Sequence, residues 1–245
     1  MTAKPPRFYF SLRSPYSWLA HRTLLRDYPE VAGAVEWIPF WEPDARSDAA
    51  LQAGGDTFPY SAMSRAKHLY ILQDVRRLAA AADAAMQWPV DVDPVWEVPH
   101  LAYLLADDLG TGRAFVAAAY RARWERGENI CDPAVVRDLA DELGLPGDRL
   151  AAAAEDDELR ARGVEVLRRV CRDGVFGVPF FVHRFTRFWG VDRLADFAAH
   201  LRSVGVTADD PADDPADDPG GLPGLQPVTV GLGRSSDEGH AGGCG

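Results

Sequence analysis

The feature that most constrains this chain is its first apolar run and the turn behind it. Arg7-Phe8-Tyr9-Phe10-Ser11-Leu12 is followed at once by Arg13-Ser14-Pro15-Tyr16-Ser17-Trp18. The first six residues are rich in aromatics, hold no glycine or proline, and read as a buried strand. Ser14 then offers an N-cap oxygen, and Pro15 brings the preset φ of a first helical position. Leu19, Ala20, Leu24 and Leu25 recur at helical spacing, which predicts a helix to about Asp27, with Pro29 beyond it. Val35 to Phe40 reads as a second strand. The opening is therefore strand, serine-capped helix, strand, a βαβ unit.

From about Arg46 to Gly174 the pattern turns helical, rich in alanine, leucine and arginine. Helices are expected over 64–85, 97–108, 112–126, 133–143 and 155–172, punctuated by Gly110, Gly112, Gly127, Gly144 and Pro146. No strand is expected there. Strand chemistry returns at Val178–His183 and Arg187–Trp189, close enough to form a hairpin. A last helix over Val191–Ser203 places Leu194, Phe197, Ala198 and Leu201 on one face. The order βαβ, helices, ββα is that of an α/β thioredoxin-like fold with a large all-helical insertion. The expected divisions are 7–45 and 174–203 for the thioredoxin-like part and 46–173 for the insertion. Residues 204–245 form a tail of Asp, Pro, Gly and Ala, with a DDPA repeat, too poor in apolar side chains to offset the entropy of ordering. That tail is expected to be disordered.

The tail also explains the charge. Its eight acids and single base, Arg234, account for seven of the eleven net negative charges. The body is then only mildly acidic, with no basic stripe for nucleic acid or a membrane surface. No apolar run approaches a membrane span, and Met1 to Arg7 lacks the anatomy of a signal peptide, so a cytoplasmic location is expected. Cys131, Cys171 and Cys244 are odd in number, far apart, and form neither CxxC nor a metal-ligand spacing. Cys131 and Cys171 are expected to be structural, and no metal is expected.

Two features could carry chemistry. A helix N-terminus at the end of a strand favours an anion, and in redox proteins of this layout it lowers the pKa of a cysteine. Here Ser14 and Ser17 stand at both cysteine positions, so the chain cannot cycle a disulfide there. Ser14 is either a plain N-cap or a hydroxyl that donates to the thiolate of a bound cofactor. The second feature is Gly177-Val178-Pro179, where such folds usually carry a cis-proline beside that turn; edge strands also often begin with proline.

These segments belong to a longer ordered set: FYFSLRSPYSW at 8–18, Lys67, Tyr70 and Asp74 on one helix, WERGENICDP at 124–133, GVFGVPFF from 174 and FWGVDRL to 194. Together they resemble the kappa-class glutathione transferase and 2-hydroxychromene-2-carboxylate isomerase family, thioredoxin-like and DsbA-related, over about 7–203. The resemblance implies that Ser14 assists a glutathione thiolate and that Val178, before Pro179, pairs its backbone with the cofactor as a strand would. It assigns Asp192 to the cofactor's ammonium; Arg193 either orients Asp192 or makes a surface ion pair, and Lys67, with Tyr70 and Asp74, either lines the site or belongs to a solvated face. Tyr16, Trp18, Tyr70 and His100 are the candidates around a substrate; Tyr16, Trp18, Trp41 and Trp88 line its pocket or, as is commoner for aromatics, the core, and a lone histidine such as His100 is usually structural. Three positions depart from the family's habit: Val191 lacks a side-chain hydrogen bond, Ser11 stands where aspartate is common, and His100 replaces an asparagine or serine.

The activity implied is a glutathione-dependent, or other thiol-dependent, cis–trans isomerase acting on a conjugated enone or dienoate, working as a homodimer. The same thiolate would serve a glutathione transferase, and a thiol- or peptide-binding module needs no catalysis at all. A disulfide oxidoreductase is disfavoured for want of paired cysteines.

Overall fold

The computed structural model describes residues 4–59 and 63–206. The expected tail therefore lies, from 207 onward and with Cys244, outside the described residues. The first strand, β1 (Arg7–Phe10), is followed by α1 (Pro15–Asp27), α2 (Pro29–Ala34) and β2 (Glu36–Pro39). Helices α3 (Ala45–Ala53), α4 (Arg65–Ala81), α5 (Glu97–Asp108), α6 (Gly112–Tyr120), α7 (Pro133–Glu142), α8 (Gly147–Ala151) and α9 (Asp157–Arg172) come next. Strands β3 (Phe180–His183) and β4 (Thr186–Trp189) and helix α10 (Leu194–Ser203) complete the fold.

The four strands form one sheet in the order β2-β1-β3-β4. β1 runs parallel to β2 and antiparallel to β3, and β4 closes the hairpin with β3. Aromatics lock one face of this sheet. Phe8 stacks on Phe181 at 5.0 Å between centroids and meets the edge of Trp37 at 5.0 Å. Phe181 in turn stacks on Phe197 of α10, and Phe10 meets Tyr103 of α5 at 5.2 Å. Offset and edge-on aromatic pairs of this kind add to the burial of their area. On the other face, Arg7 and the Tyr9 hydroxyl both bond Asp173, just after α9, and Arg169 of α9 pairs with Glu36. The architecture is a thioredoxin-like α/β fold in which every described element between β2 and β3 is helical.

Several boundaries differ from expectation for identifiable reasons. β1 stops at Phe10, two residues early, because the next amides leave the sheet: Ser11 N–H donates to Ser17 Oγ and Leu12 N–H to His100 Nε2. β3 begins only at Phe180, after the cis Val178-Pro179 bond, where proline offers no ladder donor. The helix expected to reach 85 ends at Ala81, because Asp83 adopts a positive φ of 48°. Residues Arg121–Glu125, expected as α-helix, widen into a π-turn. Such insertions concentrate near functional segments. The short helices α2, α3 and α8 have no counterpart in the expected elements. α10 buries Leu194, Phe197, Ala198 and Leu201, the face its periodicity predicted.

Candidate active site

The β1–α1 turn is built almost entirely from side chain to backbone bonds. Ser14 has extended backbone angles, φ −84° and ψ 122°, and its Oγ accepts the amide of Ser17 at 3.2 Å, the standard N-cap bond. Ser17 Oγ accepts the Ser11 amide at 3.2 Å, so the second serine ties the end of β1 to the first turn of α1. The Ser11 carbonyl receives both the Ser14 amide at 3.1 Å and the Tyr120 hydroxyl of α6 at 3.0 Å. Leu12 N–H reaches His100 of α5. Ser14 is 1 % exposed and Ser17 fully buried.

Three segments meet at this end of the sheet. The β1–β3 register pairs Tyr9 with Phe180, so the cis Val178-Pro179 bond precedes β3 at the end of the sheet where β1 gives way to the turn. The Pro179 carbonyl accepts the amide of Gly190 at 3.0 Å, which draws the turn before α10 to the same place. That turn, a short 3₁₀ segment over Val191–Arg193, packs against α1. Gly190 is required there: its φ is 110°, and a Cβ would stand 2.5 Å from the Asp192 carboxylate. Asp192 and Arg193 are exposed and paired at 3.4 Å, and Arg193 also bonds Asp196 at 3.0 Å. The fold thus gathers Ser14, Val178, Pro179, Asp192 and Arg193 from three separate stretches of sequence.

The remaining candidates divide. Helix α4 packs against α1, and the Tyr16 hydroxyl donates to Asp74 at 2.8 Å. Burial works to raise the Asp74 pKa, but hydrogen bonds from Tyr16 and Arg77 outweigh it and hold the carboxyl below its ordinary value. Tyr70 also reaches Asp74, at 3.4 Å, while remaining 58 % exposed, and Lys67 lies exposed in the first turn of α4. Trp18 is buried and stacks on Trp124 at 6.2 Å, and Trp41 is buried against the His100 ring. His100 itself is wholly enclosed, with both ring nitrogens engaged.

Sequence reasoning missed a buried cationic layer beneath the turn. The guanidinium groups of Arg13 and Arg123 lie 5.1 and 4.9 Å from the Trp96 ring. Arg13 pairs with Glu42 at 2.7 Å, and Arg123 holds Asp91 through two bonds of 2.8 Å. The only available signal was an arginine directly before Ser14, and nothing in its spacing names Trp96 or Glu42 as partners.

The chain's own described thiols suit a structural role. Burial pushes the Cys131 thiol up to about 12 and raises that of Cys171. The reactive arrangement is the reverse, a thiolate favoured by nearby positive charge. Around Ser14 the donors do fit an external thiolate and its peptide. Pro15 has no N–H and the Ser17 and Trp18 amides are taken by Ser14, so the helix end acts through its dipole; the serine oxygen accepts one bond and still has its own proton to donate, and an exposed carboxylate at Asp192 suits an ammonium. Among the described residues no group of three or more His, Cys, Asp or Glu is placed to hold a metal, and no helix is long and apolar enough to cross a membrane.

A thioredoxin-like sheet with a capped turn beside a cis-proline defines a class, and comparison agrees: residues 7–202 match the DSBA-like thioredoxin domain, and the chain belongs to that family. Within it, the 2-hydroxychromene-2-carboxylate isomerase of Sphingobium xenophagum is 30% identical over 200 residues, covering 79% of this chain and 96% of that protein. The chain is thus a homologue of an isomerase. A solved 2-hydroxychromene-2-carboxylate isomerase has the same fold, with a TM-score of 0.64 at 20% identity over 82% of this chain and 95% of its own. So has the cytosolic disulfide reductase DsbM of Pseudomonas aeruginosa, solved with GSH, at a TM-score of 0.53, 21% identity, and 81% and 98% coverage.

Proposed function

We propose that this protein is a glutathione-dependent cis–trans isomerase acting on a conjugated enone or dienoate. The observation that carries the reading is Ser14: a hydroxyl at the N-terminus of a helix, beside a cis-proline, at the place where redox relatives need a thiol. A second support is the homology to an isomerase over most of the chain.

Glutathione, held by Ser14, Val178 and Asp192, would supply a nucleophilic sulfur capable of reversible addition to a conjugated alkene. The protein's share is electrostatic and geometric. The positive end of the α1 dipole and the Ser14 hydroxyl favour the thiolate over the thiol. Val178 offers backbone to the cofactor's extended chain, and Asp192, oriented by Arg193, receives its ammonium. Lys67, Tyr16 and Tyr70 stand on the α1–α4 side, where a substrate would approach. Nothing is oxidised, so the absence of a cysteine from the turn is no obstacle.

The test is conversion of 2-hydroxychromene-2-carboxylate, followed spectrally with and without glutathione. Conversion that needs glutathione and returns it unchanged is expected. A stable conjugate would instead identify a transferase. Binding of glutathione with no turnover on this or related conjugated acids would leave a thiol-binding module.

A further inference from the structure

The enclosed His100 is the strongest group that this mechanism does not use. It sits in the first turn of α5, 88 positions from Leu12, yet its Nε2 accepts the Leu12 amide at 3.1 Å. Its Nδ1 faces the Trp96 carbonyl at 2.7 Å. A carbonyl can only accept and an amide can only donate, so the two bonds fix the tautomer: the proton is on Nδ1 and the lone pair on Nε2. The ring cannot swing out. It stacks on Trp41 at 5.3 Å with 16° between planes, meets Trp96 edge-on at 6.4 Å, and is 0 % exposed.

What this ring holds is the hinge of the site. Leu12 lies two residues before Ser14, where β1 has left the sheet and its amide needs a new acceptor. The neighbouring anchor, the Tyr120 hydroxyl on the Ser11 carbonyl, also comes from the helical insertion. The turn is therefore hung at two successive residues on α5 and α6, and the packing of those helices decides where α1 begins.

We infer that His100 is a positioning residue: through the Leu12 amide it sets where Ser14 and the first turn of α1 stand, and so how strongly that helix end holds a thiolate. The inference rests on the reading of Ser14 as the thiol-activating group. Burial, with Arg123 and Arg13 nearby, keeps the ring neutral and its pKa down at about 3, so it remains an acceptor throughout the physiological range. A displacement of the turn by a fraction of an ångström would misdirect donors whose value depends on alignment.

The experiment compares wild type with His100→Phe, which keeps a stacking ring but has no acceptor, and His100→Gln, whose amide oxygen reaches toward the Nε2 position. Two readouts are needed: hydrogen exchange at the Leu12 amide, and the pH titration of the glutathione thiol bound to each protein. In His100→Phe we expect Leu12 exchange to rise at least about tenfold with β3 and α10 still protected, and the bound thiol to titrate about one pH unit higher, a tenfold loss of thiolate at neutral pH. His100→Gln should recover much of both. An unmoved Leu12 amide, or faster exchange with an unmoved thiol titration, would overturn the inference. If His100→Phe loses protection throughout, His100→Gln decides: folded protein with restored Leu12 protection and thiol titration supports it, and folded protein with neither overturns it. Wild-type protein that fails to bind glutathione refutes the reading of Ser14 instead, and the exchange data still judge His100's hold on the turn.

Discussion

Tyr16 and Asp74 join two helices across 58 positions of sequence, the phenol donating to the carboxylate at 2.8 Å. The bond fastens α4 to the first turn of α1, one residue beyond the proline that follows Ser14. It is charge-assisted, because the same contacts keep Asp74 ionised. Asp74→Asn should therefore cost about 1–2 kcal/mol, as loss of a hydrogen bond to a charged group does when partly exposed. On the proposed reading it should also raise the KM for glutathione or substrate more than it lowers kcat, since α4 carries Lys67 and Tyr70. Thermal unfolding and steady-state kinetics on one preparation check both.

Ser14 separates capping from catalysis. Ser14→Ala removes the acceptor of the Ser17 amide and should destabilise the fold by about 1 kcal/mol. If its hydroxyl also faces the thiolate, glutathione-dependent turnover should fall by about a hundredfold, the scale of losing one aligned donor. A stability loss with full turnover would make the residue a cap and nothing more. Ser14→Gly is a useful control, since glycine caps nearly as well and still lacks the hydroxyl.

Acid should destabilise the fold through its buried histidines. Burial first, then Arg22 and Arg121, brings His21 down to about 4. His100 lies at about 3 through burial and its arginine neighbours, and burial with His200, Arg184 and Arg7 lowers His183. In the unfolded chain each titrates near 6.5. Below that pH the unfolded state takes up protons that the native state refuses. His21 and His100 alone then remove up to about 2.7 kcal/mol per pH unit. Glu97, whose pKa is raised by burial, binds its proton early in the native state and offsets part of this. Above pH 7 these groups contribute no slope. Urea titrations at pH 7, 6 and 5 measure the effect.

His21 offers a sharper case within that set. Both of its ring nitrogens are buried without a hydrogen-bond partner among the described residues, between Trp37 and Tyr120. Replacing an unsatisfied buried polar group by an apolar one of similar shape is neutral or stabilising. His21→Phe should therefore be at least as stable as wild type at pH 7. It should also lose about one proton from the acid slope, again by urea titration.

The two described cysteines should be dispensable. With their thiols pushed up by burial, Cys131→Ala and Cys171→Ala together should leave glutathione-dependent turnover within about twofold, while alkylation of native protein at neutral pH should be slow. Loss of turnover with retained stability would give one of them a role that its surroundings argue against.

Much of this was legible before any coordinates, and the reasons are local. Ser14-Pro15 and the spacing of Leu19, Ala20 and Leu24 specify a capped helix whatever it packs on, and α1 ends at Asp27 as that pattern requires. The apolar face of α10 follows from periodicity in the same way. Partners are another matter. Periodicity says which face of a helix is buried, never against what, so nothing in the spacing linked Tyr16 to Asp74 or Leu12 to His100. For the same reason Trp18 and Trp41 were candidates for pocket wall as well as for the commoner core, and they lie buried against Trp124 and His100. Arg13 and Arg123 were invisible because two buried guanidinium groups over one indole are assembled by tertiary structure alone.

The serines at 14 and 17 have one more consequence. A turn with no sulfur cannot be charged or discharged by its surroundings: an oxidising solution and a reducing one leave it covalently the same. On the proposed reading, what it registers is how much thiol is present. Occupancy of such a site follows mass action, and each tenfold rise in free ligand above its dissociation constant adds about 1.4 kcal/mol to the stability of the fold. Where a cysteine pair would make this protein answer to redox potential, the serine pair under that reading makes it answer to concentration.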